Sequence, residues 1–362
     1  MSWGKQDGMV VHEQDPYNAE APPTPLGASF VTPVDLFYSR NHGPLPDLDV
    51  TRWSLRVDGE VDTPLTLTVA DLQSFEAVSL TATLQCAGNR RAGLIEVQDI
   101  PGEDPWGPGA TSTAVWTGAR LADVLDRAGL AAGLVEAHVA FDAPDVSQLA
   151  DPPQAYSSSI PLAKARQAEV LLAWAMNGEP LSRVHGAPVR VVVPGYIGAR
   201  SVKWVERVTV QPEPSDNYFQ ATAYRLLPPE ADPKQAGPGD GISLGTVALN
   251  AAVLTPTADE KLPPGQTDVS GYALAGDGRA VARVDVSPDD GVSWVQAGLE
   301  HGEEPWAWTT WRTTFDLDVG QHTLVVRAWD DTGAVQTESP AAVWNPKGYV
   351  NTSWDRVRVD VD

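Results

Sequence analysis

The strongest constraint on the fold is a change of sequence pattern near residue 230. The run Leu226–Gly241 (LLPPEADPKQAGPGDG) is rich in proline, glycine and acidic residues, a composition typical of interdomain linkers. A chain of 362 residues is also long enough for two domains. We therefore predict an extended N-terminal arm over residues 1–30, a first domain over 31–227, a linker over 228–240 and a second domain over 241–362.

The first domain mixes the patterns of strands and helices. Trp53–Val57 alternates apolar and polar residues, as in a strand, whereas Gly118–Asp126 has helical spacing. Asn177-Gly178 is typical of a type I′ hairpin turn, and Val189–Val193 is a short apolar strand that ends at a Pro-Gly pair. These signals predict a mixed α/β domain.

The second domain has the pattern of strands alone. Val281–Ser287 alternates and is followed by Pro-Asp-Asp-Gly, which predicts a hairpin whose second strand runs through Trp294. In His322–Trp329, alternate residues belong to opposite faces of a strand. Short strands over about 120 residues favour an all-β, immunoglobulin-like sandwich, so the predicted fold class is α+β.

The charge of the chain excludes some functions. A formal net charge of −23 argues against nucleic-acid binding, because such proteins need a basic surface to neutralise phosphates. A site for an anion must therefore be a local concentration of Arg and Lys. No apolar run approaches the length needed to cross a bilayer, and the N-terminal residues lack the apolar core of a signal peptide, so we expect no membrane association and a cytoplasmic location.

Cys86 lies in the sequence most suggestive of chemistry, Leu84–Arg91 (LQCAGNRR). A single cysteine cannot form a disulfide within its chain or a cysteine-rich metal cluster. Two guanidinium groups close in sequence should favour the thiolate, which makes Cys86 a nucleophile or a ligand for a soft metal. The alternative is that Cys86 is a small buried apolar residue.

Two further segments combine cations with turns. His185–Trp204 places a His, two Arg and a Lys around glycine-containing turns, which suits a phosphate-sized anion, although a hairpin with solvated charges has the same pattern. Phe37–Gly43 (FYSRNHG) is polar and cationic, and its alternative is a simple capped loop.

Together these segments resemble the sulfite oxidase family in content and in order. The matching runs are CAGNRR, HGAPVRVVVPGYIGARSVKW and WNPKGYVNTSWDRVRV, and the likeness extends from about Phe37 to the C-terminus. The resemblance implies a molybdopterin-binding catalytic domain followed by an immunoglobulin-like dimerisation domain, and hence a homodimer. It also implies molybdenum bound by one molybdopterin and by the thiolate of Cys86.

The resemblance also assigns site residues. The cofactor would be bound by Asn41, His42, Asp145, His185, Arg190, Ser201, Val202 and Lys203. The substrate pocket would be formed by Arg40, Arg91, Trp106, Tyr224 and Lys347. Animal members of the family usually have Arg at the position of Lys347, and some members have Lys where this chain has Gly102, so the substrate pocket of this chain differs from theirs.

The implied reaction is the oxidation of sulfite to sulfate by oxygen-atom transfer. Too few residues precede Phe37 for a haem domain, so we expect no haem and an external electron acceptor, such as a cytochrome c or oxygen. The alternatives are a nitrate-reductase-like enzyme of the same superfamily, a cysteine hydrolase that uses Cys86 with His42 or His185, and a non-enzymatic binding module.

Overall fold

The computed structural model describes residues 3–134, 136–258 and 260–362. The first domain contains short helices and thirteen strands within these ranges. Its elements are β1 (Val10–Gln14), β2 (Tyr17–Glu20), α1 (Pro23–Gly27), β3 (Leu55–Gly59), β4 (Leu65–Leu67), α2 (Val69–Gln73), β5 (Ala77–Gln85), α3 (Ala92–Ile95), β6 (Thr111–Arg120), α4 (Leu121–Ala128), β7 (His138–Ser147), β8 (Gln154–Pro161), α5 (Leu162–Ala165), β9 (Leu171–Met176), β10 (Glu179–Pro180), β11 (Arg190–Val192), β12 (Arg207–Gln211) and β13 (Arg225–Leu226).

These strands form two main sheets. One has the order β10-β9-β6-β5, with β11 paired to β9, and the other has the order β4-β3-β12-β7-β8. In the second sheet β12 is parallel to β3 and antiparallel to β7, so the sheet is mixed. Three single turns connect sheet strands to the site. They are 3-10 helices at Arg183–His185 and Gly198–Arg200 and a π-helical turn at Phe219–Ala223.

The N-terminal segment differs from the extended arm that we predicted. β1 and β2 pair as an antiparallel hairpin, and α1 follows. All four residues of β2 are buried, and Ala19 exchanges backbone hydrogen bonds of 2.9 and 2.8 Å with Ser39. Burial of this strand against the rest of the domain stabilises the hairpin, which isolated would be only marginally stable.

Helix α4 begins three residues later than its pattern predicts. Gly118 to Arg120 still belong to β6 and pair with Leu171 to Ala173 of β9. A Cβ atom on Gly118 would lie 2.3 Å from the carbonyl oxygen of Leu172, so glycine is required for this close pairing. The hydrogen bonds of the central strand therefore take precedence over helical propensity until Leu121.

The predicted turn at Asn177-Gly178 is confirmed. Asn177 and Gly178 have φ angles of 52° and 83°, as a type I′ turn requires, and they connect β9 to β10. The apolar run at Val189–Val193 also forms a strand, β11, which pairs with β9.

The second domain is the predicted all-β sandwich, and the α+β fold class is confirmed. Its strands are β14 (Ile242–Ser243), β15 (Asn250–Thr255), β16 (Lys261–Leu262), β17 (Gly265–Leu274), β18 (Val281–Ser287), β19 (Val295–Gln296), β20 (Gly298–His301), β21 (Thr309–Leu317), β22 (Gly320–Asp330) and β23 (Asp355–Val361). Sheets β15-β17-β21-β20 and β16-β23-β22-β18-β19 enclose one apolar core.

The hairpin after β18 has a longer loop than predicted. The second strand, β19, begins only after Trp294, because Asp289 accepts hydrogen bonds from both the backbone and the hydroxyl of Ser293 and closes a loop there. The predicted linker runs between β13 and β14, which pair with each other across it. Among the described residues, no helix is long and apolar enough to cross a membrane.

Candidate active site

An inner cavity lies in the first domain, between the loop after β5 and the loops that flank β11. It brings together three segments that are far apart in sequence. Of the residues named from the sequence, it is lined by Arg40, Asn41, His42, Cys86, Asp145, His185, Arg190, Ser201, Val202, Lys203 and Tyr224.

Cys86 enters this cavity directly after β5 ends at Gln85. Its side chain is buried, and its sulfur accepts a hydrogen bond of 3.4 Å from the backbone N–H of Gly88. Burial raises the pKa of the Cys86 thiol above its ordinary value, although the charges of Arg91 and Arg40 oppose that shift. Nearby arginines do favour the thiolate, as expected, but the cost of burying a charge outweighs their attraction.

Arg90 and Arg91 point in different directions. Arg90 has a positive φ of 62° and turns to the second domain, where it forms an ion pair of 3.1 Å with Asp355 and donates to the carbonyl of Ser353. Arg91 remains close enough to Cys86 to lower the pKa of its thiol. Of the two adjacent arginines, only Arg91 belongs to the electrostatic environment of the sulfur.

The far end of the inner cavity is strongly cationic. Arg190 donates hydrogen bonds to the carbonyls of His185 and Ser201, at 3.1 and 3.0 Å, and Lys203 donates to the carbonyl of Val184 at 3.2 Å. Burial lowers the pKa of Arg190 to about 10. Burial, together with the charge of Arg190, lowers the pKa of Lys203 well below its ordinary value.

His185 lies in the same cluster and is held by a lysine from the N-terminal segment. The Lys5 ammonium lies 2.6 Å from His185 Nε2 and donates to the carbonyl of Val34 at 2.8 Å. Burial, followed by the charge of Lys5, lowers the pKa of His185 well below its usual range, so its imidazole is neutral. Burial also lowers the pKa of Lys5 itself to about 7.

Asp145 faces these cations from a bulge in β7. The pairing of β7 with β8 shifts register between Asp142 and Val146, and such bulges commonly redirect a side chain. Burial raises the pKa of Asp145 to about 7, although Lys203 opposes the shift. Its Oδ1 atom and the hydroxyl of Ser39, which also lines the cavity, are buried and have no hydrogen-bond partner within the described structure.

The donors of the inner cavity fit an anionic, polar ligand with a soft metal. Buried cations that repel one another, with unpartnered acceptors and donors beside them, are costly unless a ligand of opposite charge compensates them. A phosphate group would satisfy Arg190 and Lys203, a polar ring system would satisfy Asp145 and Ser39, and the Cys86 sulfur suits a soft transition metal.

A second cavity, called the outer cavity here, shares Arg40, His42 and Tyr224 with the inner one. His42 Nε2 lies 2.6 Å from the Tyr224 hydroxyl, and the His42 ring stacks on Tyr156 with centroids 4.5 Å apart. Burial, followed by the charge of Arg40, lowers the pKa of His42 well below its usual range, so His42 is neutral. His42 and Tyr224 therefore border both cavities without adding charge, and the charge at this boundary comes from Arg40.

Lys347 reaches the outer cavity from the second domain, and Arg91 lies behind it. The ammonium of Lys347 is 2.6 Å from Glu103, and a guanidinium nitrogen of Arg91 is 3.2 Å from the same carboxylate. Arg40 and Lys347 line the outer cavity, whereas Arg91 lines neither cavity.

Trp106 does not form the pocket wall that the resemblance implied. Its side chain is fully buried and borders neither cavity. The His12 ring packs against it edge-on, with centroids 4.6 Å apart, and its backbone carbonyl accepts a hydrogen bond from Ala92. Trp106 thus packs against the loop that contains Arg91. The N-terminal hairpin covers the other face of the Trp106 ring.

Comparison with known proteins places these features in a family. Residues 42–219 match the family model "Oxidoreductase molybdopterin binding domain", and residues 243–362 match "Mo-co oxidoreductase dimerisation domain". The sulfite oxidase of Arabidopsis thaliana is 39% identical over 98% of this chain and 94% of its own length. This chain belongs to the sulfite oxidase family.

Other relatives agree with this assignment. The mitochondrial sulfite oxidase of Homo sapiens is 43% identical over 99% of this chain, which spans 66% of the human protein, just under two thirds. The nitrate reductase of Hordeum vulgare is 36% identical over 99% of this chain but only 43% of its own length. The crystal structure of the sulfane dehydrogenase SoxCD from Paracoccus pantotrophus superposes with a TM-score of 0.81 and 25% identity, over 99% of this chain and 90% of that one.

The family's cofactor, molybdenum bound to molybdopterin, agrees with the donors of the inner cavity. Sequence reasoning missed several residues around that cavity and the outer one. They are Lys5, Asn18, Tyr156, Glu103 and Tyr349. Of these residues, only Glu103 had a signal in the sequence, since it follows Gly102, where some members of the sulfite oxidase family have Lys.

Proposed function

We propose that this protein oxidises sulfite to sulfate with a molybdenum–molybdopterin cofactor. One observation supports the proposal above others: the buried Cys86 sulfur lines a cationic inner cavity, and that cavity shares Arg40 with an outer cavity that Lys347 also lines. The first suits an anionic cofactor and the second a small oxyanion.

The bound cofactor would supply the oxygen-atom transfer and accept two electrons. The overall change is sulfite plus water giving sulfate, two protons and two electrons. Cys86 would be the protein ligand of the metal, and the proposed cofactor contacts come from Asn41, His42, Asp145, His185, Arg190, Ser201, Val202 and Lys203.

The chain's own part in the reaction is to bind and orient. Arg40 stays charged, because Tyr224 and Cys86 outweigh its burial and raise the pKa of its guanidinium. Arg40 can therefore bind an oxygen of sulfite, and the Tyr224 hydroxyl can donate a hydrogen bond to another. The neutral His42 accepts or donates at that hydroxyl and fixes its direction.

The electron acceptor would be external, for which a cytochrome c and oxygen are the two candidates. We also propose that two chains associate through the second domain, which matches the dimerisation model. Light scattering of the purified protein should then give twice the mass of one chain.

Two measurements test the function. Elemental analysis should find about one molybdenum per chain, and sulfite should drive the reduction of ferricyanide. Cys86→Ser should remain folded, because the side chains are nearly isosteric, and should lose sulfite turnover. Turnover of nitrate without sulfite activity would instead identify a nitrate-reductase-like enzyme, which the barley relative makes the natural alternative. Full sulfite activity in Cys86→Ser would refute the proposal.

A further inference from the structure

Glu103 joins Lys347, which lines the outer cavity proposed for substrate, to Arg91, which lies behind that cavity. Its Oε1 atom lies 2.6 Å from the Lys347 ammonium and its Oε2 atom 3.2 Å from a guanidinium nitrogen of Arg91. One carboxylate therefore bridges the first domain's arginine and the second domain's lysine. All three side chains are mostly buried, with exposures of 17% for Glu103, 20% for Lys347 and 3% for Arg91.

The remaining N–H groups of Arg91 are largely used by the protein. Its Nε donates to the carbonyl of Lys347 at 3.0 Å, and one terminal nitrogen donates to the carbonyl of Asp104 at 2.8 Å. The Glu103 carboxylate takes the other terminal nitrogen. The Arg91 guanidinium is thus held rigidly. Its last acceptor is the Glu103 side chain, which borders the outer cavity.

Glu103 is ionised at neutral pH. Burial alone would raise its pKa, but the charges of Arg91 and Lys347 outweigh burial and keep the pKa below its ordinary value. The bridging group is therefore a carboxylate, which offers the cations two oxygens in a plane, as part of an oxyanion would.

We propose that Glu103 is a specificity-determining residue that occupies the oxyanion position between Arg91 and Lys347 and weakens the binding of doubly charged oxyanions. The inference rests on the proposed function, because that function places the substrate oxyanion in the outer cavity that Lys347 lines. In that cavity Glu103 already compensates the charge of Lys347 and separates the cavity from Arg91, whereas Arg40 lines the cavity directly. A dianion feels about twice the repulsion that a monoanion of the same size feels.

The test compares Glu103→Gln with the holoenzyme and with Glu96→Gln as a matched control. Glu96 is exposed and lies just after α3, so its substitution removes the same charge at a short distance in sequence. Two quantities are measured: the KM for sulfite, and the dissociation constant of sulfate by calorimetry. We expect Glu103→Gln to lower both by about tenfold, whereas Glu96→Gln changes neither.

Two additions separate charge from structure. The Glu103→Asp variant keeps the negative charge but has a shorter side chain between the two cations. Sulfate should therefore still bind weakly to this variant. Nitrate, a monoanion, should gain less affinity than sulfate from Glu103→Gln. Should Gln and Asp both weaken sulfate binding, or should Gln leave it unchanged, Glu103 merely positions the two cations and the proposal is wrong.

Sulfate binding also separates this inference from the proposed function. If the protein oxidises no sulfite but Glu103→Gln still tightens sulfate, the proposed function fails and the role of Glu103 as an anion competitor stands. If sulfite turns over normally and sulfate affinity is the same in Glu103→Gln and Glu96→Gln, the inference about Glu103 fails alone.

Discussion

The backbone N–H of Val350 donates a 2.9 Å hydrogen bond to the carbonyl of Ala87, the residue after Cys86. The second domain therefore holds the loop that carries the proposed metal ligand. Asn351 adds a hydrogen bond of 2.8 Å to the carbonyl of Arg90, and the Arg90 side chain returns to Asp355 at 3.1 Å. The position of the Cys86 sulfur thus depends on contacts between the domains.

Removal of the Arg90 side chain should weaken this connection. Arg90→Met removes the ion pair with Asp355 and one of the donors to the carbonyl of Ser353, which should cost about 3 kcal/mol in the free energy of unfolding. Urea denaturation measures the loss. Arg358→Met is the control, because Arg358 is exposed on β23, the strand that also contains Asp355. Equal stability of the two variants would show that the ion pair contributes nothing.

Lys203 should be needed to retain the cofactor. The ammonium lies beside Arg190 in the inner cavity, where a phosphate would satisfy both, and a lost charged hydrogen bond should lower cofactor affinity by at least about tenfold. We expect Lys203→Met to be purified with much less molybdenum per chain than the wild type. Lys261→Met, at an exposed lysine paired with Asp362, should keep its metal. Normal molybdenum content in Lys203→Met would contradict this assignment.

Lys5 should make the stability of the cofactor-free protein depend on pH. Its pKa is about 7 in the folded chain and about 10.4 when unfolded, so between these values only the unfolded chain keeps the proton. The free energy of unfolding should therefore rise with pH in this window, by up to about 1.4 kcal/mol per unit from this group.

The measurement is urea unfolding at pH 7, 8 and 9. Lys5→Met lacks the titrating group, so the wild type should gain stability relative to the variant as the pH increases. A difference between the two proteins that does not change with pH would show that Lys5 keeps an ordinary pKa in the folded state.

The Tyr224 hydroxyl should matter for turnover more than for folding. Tyr224→Phe removes the partner of His42 Nε2 and the donor proposed for sulfite, so kcat/KM should fall by on the order of tenfold. Tyr196→Phe is the control, because Tyr196 is half-buried and borders neither cavity. Equal kinetics of both variants and the wild type would remove Tyr224 from the substrate site.

Much of the site could be predicted from local sequence. Cys86 and the cationic segments at 37–43 and 185–204 are short runs whose residue types point to a soft metal and an anion, and all three line one cavity. The strand pattern of the second domain and the Asn177-Gly178 turn could also be predicted. The alternation of apolar and polar residues and the preference for positive φ angles are local properties of the sequence.

Sequence alone determined the resemblance to a family through its motifs. It also determined that the first domain is mixed α/β, that the second is all-β, and which residues are able to bind a metal or an anion. Tertiary structure alone decided that Arg90 turns away from Cys86, that Trp106 lies beneath the site and that Lys5 and Glu103 complete it. The physical reason is that burial and ion pairing depend on partners far away along the chain, such as Lys347, which is 244 residues from Glu103. Local patterns carry no information about such partners.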